Sequence, residues 1–191
     1  MNKRIVALLA ALLMVLTMFQ ASSEMTEEEK IADLTKNFNT FIEKTSYRFE
    51  YNPDKDQFYN TFELDSTLAQ CDVFADLYDD LLYIYALPPL RVPADNKDKV
   101  AIYLTLVNNN EFYSHYVFDY EDGDVYGCVS QTIVEVIPSA SEIESLVHQV
   151  LNLLENYGNG LSKVALVGMD PHEAYAEALI SLEAAITDKS L

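Results

Sequence analysis

The stretch Lys97–Ile133, KDKVAIYLTLVNNNEFYSHYVFDYEDGDVYGCVSQTI, decides the fold. Val100, Ala101, Ile102, Leu104, Leu106 and Val107 recur at helical spacing, and Asn108-Asn109-Asn110 breaks the pattern. Two runs rich in aromatic and β-branched residues follow, separated by Glu121-Asp122-Gly123-Asp124. The reading is helix, break, hairpin. An Asp-Gly pair suits a two-residue type I′ turn, whose central residues both need positive φ. That turn would set Tyr120 opposite Val125, Phe118 opposite Gly127, Tyr116 opposite Val129 and Phe112 opposite Ile133. The other face would carry Tyr113, His115, Val117 and Asp119 beside Tyr126, Cys128 and Ser130, a mixed and half-exposed set.

Working outward toward the N-terminus, Pro88-Pro89 closes a strand because proline cannot donate to a ladder, and Asp95 is placed to cap the helix. Between Tyr47 and Leu87 the pattern alternates in four segments, Tyr47–Tyr51, Phe58–Leu64, Leu68–Tyr78 and Leu81–Leu87. If Asp79-Asp80 is a two-residue turn, Leu77 pairs with Leu82. Cys71, Val73, Ala75 and Leu77 then share a core face with Leu82, Ile84 and Ala86. Phe74, Tyr78, Tyr83 and Tyr85 fall together on the opposite face. Either the terminal helices cover that face, the ordinary arrangement for a sheet apolar on both sides, or it is a surface for a partner.

Thr26 and Glu29 form a capping box for a helix from about Glu27 to Lys44, with Ile31, Leu34, Phe38, Phe41 and Ile42 on one face. Ser139 and Glu142 repeat the box. The stripe Ile143, Leu146, Val147, Val150, Leu151, Leu154 and Tyr157 predicts a second helix, ended by Gly158. A short apolar segment, Leu161 to Val167, comes next. Asp170 as cap and Pro171 at the first helical position begin a last helix running to about Ala185.

Met1-Asn2-Lys3-Arg4, the apolar run Ile5 to Phe19 and Ala21-Ser22-Ser23 read as a signal peptide over residues 1–23, leaving one domain over 24–191. The expected address is extracytoplasmic, secreted or periplasmic, with no stable membrane insertion after cleavage. The formal charge is −19, and removing Lys3 and Arg4 with no acid takes it to −21. Such a chain repels nucleic acid and anionic lipid and favours cations or basic partners. Half the residues are hydrophobic, with 13 Tyr and 9 Phe, which sets the chain apart from disordered acidic sequences.

Evident chemistry is sparse. Cys71 and Cys128 fall on opposite sides of the expected sheet, so two separate buried thiols are expected rather than a disulfide. His115, His148 and His172 lack ligand spacing. Asp119, Glu121, Asp122 and Asp124 are explained by a hairpin turn and lack the order of a calcium loop. No catalytic, cofactor-binding or metal-ligating residue is assigned.

Val92-Pro93 before the helix, Asn108 at its end, then Tyr116-Val117-Phe118-Asp119, Gly123 and Val125 resemble the YbjN family over about Phe58 to Leu166. The resemblance implies an α+β fold like that of type III secretion chaperones: helix, three strands, helix, two strands and a helix, to which this chain adds a C-terminal helix. It also implies the kind of role ascribed to candidate bacterial sensory transduction regulators. Asn108, Tyr116, Asp119 and Gly123 are the matched positions; all are structural, and the pattern carries no catalytic residue. The function expected is an exported, non-enzymatic regulatory or binding module. Its partner is a protein or peptide, met by the monomer or a homodimer, through Phe74, Tyr78, Tyr83 and Tyr85. The alternative is a metal-dependent or hydrolytic enzyme using the acidic hairpin around Asp119.

Overall fold

The computed structural model describes residues 25–134 and 136–188; the signal-peptide reading of residues 1–23 lies outside them. The elements in order are α1 (Glu27–Lys44), β1 (Glu50–Asn52), β2 (Gln57–Glu63), β3 (Gln70–Leu77), β4 (Leu81–Leu87), α2 (Lys97–Asn108), β5 (His115–Phe118), β6 (Val125–Thr132), α3 (Ala140–Ser162) and α4 (Pro171–Asp188). The six strands form one antiparallel sheet in the order β1-β2-β3-β4-β6-β5. This is the expected α+β architecture. The first block holds four strands, as the alternation indicates, where the resemblance implies three; the extra one is the three-residue β1 at the sheet's edge.

The short-range signals hold. Both capping boxes form, Thr26 with Glu29 and Ser139 with Glu142. Asp170 accepts from the amides of His172 and Glu173 at 3.0 and 3.1 Å and so starts α4. The Asp79-Asp80 turn sets Leu77 opposite Leu82, and the Tyr78 amide donates to the Leu81 carbonyl at 2.9 Å. Cys71, Val73, Ala75, Leu77, Leu82, Ile84 and Ala86 are all buried as one face. Against that face lie the helices. Phe38 of α1 stacks on Phe58 of β2 with ring centroids 4.1 Å apart. α3 crosses β4 and β6, and a Cβ on Gly127 would stand 2.7 Å from Leu154 Cδ1, so glycine here lets the leucines of the helix lie directly on the strand. α4 packs outside α2 and α3. Among the described residues no helix is long and apolar enough to cross a membrane.

Three expectations need correction, and one alternative is decided. The β5–β6 hairpin pairs Phe118 with Val125 and Tyr116 with Gly127, a register shifted by two residues from the type I′ reading. The cause is Asp119. Its Oδ1 accepts from the amides of Glu121 and Asp122, its own amide donates to the Asp124 carbonyl, and the turn widens to enclose Tyr120 to Gly123. Only Gly123 there has positive φ, at 82°, so a turn needing two such residues does not form. Because the strand period is two, a shift of two leaves every side chain on its expected face. Phe112 consequently lies outside the strand and is exposed rather than paired with Ile133.

Helix α3 does not stop at Gly158 but continues to Ser162, passes through a π-turn at Lys163–Val167 and ends at left-handed Gly168. Gly158 and Gly160 serve packing instead, the first against Leu68 and Ser66, the second against Tyr103. Asp95 sits within a short 3-10 turn, Ala94–Asn96, and caps nothing. The alternative concerns coverage of the aromatic face. Every described helix lies on the Val73/Ile84 face, so the terminal helices leave the Phe74/Tyr85 face open.

Asn108, Tyr116 and Gly123 have structural tasks. Asn108 closes α2 and clasps β5: its Oδ1 accepts from the Tyr116 amide at 2.8 Å, and its Nδ2 donates to the Tyr116 carbonyl at 2.9 Å. A side-chain amide thus substitutes for a neighbouring strand at the edge, where open backbone groups invite pairing with other chains. Tyr116 is buried and donates its hydroxyl to the Leu153 carbonyl, tying β5 to α3. Gly123 meets the Val92 amide through its carbonyl at 2.8 Å, which fixes the Val92-Pro93 segment against the hairpin. Asn108→Ala removes both clasp bonds at a half-buried site. It is expected to cost about 1–2 kcal/mol in urea unfolding, with a higher tendency to associate. An unchanged midpoint would contradict this.

Candidate functional site

Alternation on five strands builds the open face. β2 supplies Tyr59 and Thr61, β3 supplies Asp72, Phe74 and Asp76, and β4 supplies Tyr83, Tyr85 and Leu87. β6 supplies Tyr126, Cys128 and Ser130, and β5 supplies His115 and Val117. The register aligns Tyr59, Phe74, Tyr85, Cys128 and His115 as one row across the sheet. Ring centroids lie 6.3 Å apart for Tyr59–Phe74, 5.1 Å for Phe74–Tyr85, 5.5 Å for Tyr83–Tyr85 and 5.9 Å for Tyr85–Tyr126. Stacking of this kind adds about 0.5–1.5 kcal/mol per pair to area burial and favours the arranged row over splayed rings.

Of the residues singled out from sequence, the structure brings Phe74, Tyr83 and Tyr85 together, all half-buried. Tyr78 stands at the hairpin turn, exposed and outside the lining of the depression beside the row. That depression, of about 410 Å³, is lined by Tyr83, Tyr85, Leu87 and Tyr126 together with Asp76, Asp119 and Asp124. A second hollow of about 250 Å³ adjoins it, sharing Leu87 and Asp124 and running along Pro88 to Arg91. Sequence reading did not single out Tyr59 or Asp76, and it placed Tyr126 on a half-exposed face and Asp124 in a turn without joining either to Tyr85. Period-two alternation places each on a face, but only the pairing of β4 with β6 brings Tyr126 and the hairpin acids beside Tyr85.

The polar groups divide into those already committed and those left over. Asp119 lines the depression, yet its Oδ1 caps two amides; His115 is not among the lining residues. Asp76 accepts from Gln57 Nε2 at 2.6 Å, and Asp72 accepts from the Thr61 hydroxyl at 2.6 Å. Asp124 has Arg91 Nε at 3.8 Å, a long and exposed contact, and Arg91 donates also to the Asp122 carbonyl at 2.7 Å. Among the described residues Asp72, Asp76 and Asp119 have no cationic partner.

Cys128 Sγ lies 3.2 Å from His115 Nε2, a pairing that follows from their places opposite one another in the hairpin. Burial raises the Cys128 thiol, against a lowering by the Tyr83 hydroxyl, so a neutral thiol is favoured. The same surroundings act on Tyr83, whose hydroxyl is raised by burial first and then by Cys128 and Tyr126. A thiol held neutral and nearly inaccessible is a poor nucleophile. Cys71 lies on the other face; both thiols are free and buried, as the register argument anticipates. His148 Nε2 meets the Tyr47 hydroxyl at 2.8 Å. Among the described residues no three His, Cys, Asp or Glu side chains come together to hold a metal.

No family model matches the sequence, and no curated protein matches it. Among solved structures the chain is similar to the crystal structure of YbjN from E. coli, a protein proposed to be a transcription regulator. Identity is 13%, over 63% of this chain and 85% of that one, with a TM-score of 0.49.

Proposed function

We propose that this chain is a non-enzymatic binding module, of regulatory type, that takes a protein or peptide partner on the open face of its sheet. The observation that carries this reading is the aromatic row Tyr59–Phe74–Tyr85–Tyr126, on which none of the described helices packs while they gather on the reverse face. An aromatic surface on a strongly charged protein offers a partner most of its binding energy in a few rigid rings. Groups able to do chemistry at that face serve structure, Asp119 as a turn cap and Cys128 as a buried neutral thiol. The apolar run Ile5 to Phe19 behind Lys3 and Arg4 motivates an extracytoplasmic setting for the partner.

The test is a pull-down from the extracytoplasmic fraction, comparing the wild-type chain with a Phe74→Ala, Tyr85→Ala double variant. Both side chains are half-exposed, so the fold should survive, checked by circular dichroism. Capture is expected to fall about tenfold or more, the ordinary consequence of removing two interface aromatics. Ile180→Ser, on the exposed side of α4, should leave capture intact. Equal capture by wild type and double variant would refute the reading.

A further inference from the structure

We infer that the depression at the end of the aromatic row receives a lysine or arginine side chain, and that the partner of the open face is therefore a basic, extended segment. This rests on the docking reading above and specifies the chemistry of its ligand. The walls are three tyrosine rings, Tyr83, Tyr85 and Tyr126, and the charged lining is acidic, Asp76, Asp119 and Asp124, of which only Asp124 has a cation nearby, Arg91 in an exposed contact at 3.8 Å. Ring faces attract cations through their quadrupole, and carboxylates beside them add direct charge; together they select an ammonium or guanidinium on an apolar stem. Leu87 supplies an apolar contact for that stem.

Three observations favour an extended segment over a small cation. The aromatic row continues past the depression to Phe74 and Tyr59, and further acids flank it there, Asp72 and Glu50, the latter accepting from the Tyr59 hydroxyl at 2.9 Å. The second hollow prolongs the depression along Pro88 to Arg91. The whole chain carries a charge of −19, which steers basic partners from a distance. A second copy of this chain is the poorer occupant. A two-fold pairing of this face would set two patches carrying Asp72, Asp76, Asp119 and Asp124 against each other, acid facing acid.

The probes are three fluorescein-labelled decapeptides, alternating Arg with Ser, Glu with Ser, and Phe with Ser, titrated with the full chain by fluorescence anisotropy. The Arg peptide is expected to bind and the Glu peptide not. Asp76→Asn with Asp124→Asn should weaken Arg-peptide binding about tenfold, and Tyr85→Ala by a similar factor. Glu27→Gln with Glu28→Gln, the same change in net charge on α1, should alter it less than about twofold. Equal weakening by both charge pairs would overturn the inference, since the attraction would then be diffuse. If the Phe peptide binds, loses affinity on Tyr85→Ala and ignores the aspartate pair, the cation site falls while the docking reading stands. If no peptide binds and the pull-down does not distinguish Tyr85→Ala from wild type, both fall. A dimer that Tyr85→Ala converts to monomer assigns the face to a second copy and overturns the basic partner.

Discussion

Gly160→Ala is expected to lower the unfolding free energy by about 2–3 kcal/mol, roughly 4–10 °C in Tm for a domain of this size. A Cβ at this position would stand 2.2 Å from the Tyr103 hydroxyl oxygen and 2.8 Å from Cζ. Tyr103 cannot swing aside without loss. It is fully buried, and its hydroxyl donates to the Tyr157 carbonyl at 2.8 Å. Displacing the ring costs about 1–3 kcal/mol of overpacking and about 1 kcal/mol of hydrogen bonding, against a helix-propensity gain of up to about 1 kcal/mol for alanine over glycine. A double-mutant cycle isolates the contact. Tyr103→Phe alone should cost about 1 kcal/mol, and in its background Gly160→Ala should cost clearly less than in the wild type. If the alanine variant is as stable as the wild type, or its cost is the same in both backgrounds, the close approach of α2 to α3 at this glycine is not as described.

Alkaline unfolding is expected to be abrupt and driven by buried tyrosines. Burial raises the hydroxyls of Tyr103, Tyr116 and Tyr157, with neighbouring tyrosines and, at Tyr157, a Glu111 hydrogen bond adding to it; the Cys71 thiol is pushed up to about 12. A raised pKa means that the fold prefers the neutral phenol. Below about pH 10 both states hold the proton and stability is complete; above it the unfolded chain releases protons the folded chain keeps. Stability therefore falls as pH rises, by about 1.4 kcal/mol per pH unit for each such group. With Tyr103 and Tyr116 acting together, a stability on the order of 10 kcal/mol is exhausted within a few units. The part of the tyrosinate absorbance near 295 nm that comes from the buried rings should appear together with the loss of far-ultraviolet circular dichroism, as a late cooperative step above about pH 10. Tyr116→Phe removes one of these protons and should make the loss of stability with pH shallower. Tyrosines that all ionise smoothly while the helical signal persists would overturn this.

The difference between what was legible and what was not follows the range of the interactions. Capping boxes at Thr26 and Ser139, the Asp170-Pro171 helix start and the Asp79-Asp80 turn each satisfy backbone groups within four residues, and all are found where the sequence places them. Errors arise where a local signal competes with a partner distant in sequence. Gly158 looks like a helix stop because its chain neighbours offer no reason for a glycine; Leu68 and Ser66, about ninety positions earlier, are the reason. The Asp122-Gly123 pair looks like a type I′ turn until Asp119 caps two amides and Val92 binds the Gly123 carbonyl. At the candidate site, Phe74, Tyr83 and Tyr85 are legible as one face because a tight hairpin joins their strands. Tyr126, Asp119 and Asp124 are not, since β4 and β6 are joined through α2 and β5 and no local rule states that they pair.

The sequence by itself determined the helices, the strands and which side chains share a face, because helical and strand periods are properties of the backbone and survive even a two-residue error in register. Only the tertiary structure decided that all the described helices gather on the Val73/Ile84 side and that β6 lies beside β4. Which of two apolar faces a helix buries depends on total packing, and close approaches such as α3 over Gly127 favour one side. That choice leaves the aromatic row open with the hairpin acids at its end, and the site exists as a consequence of it.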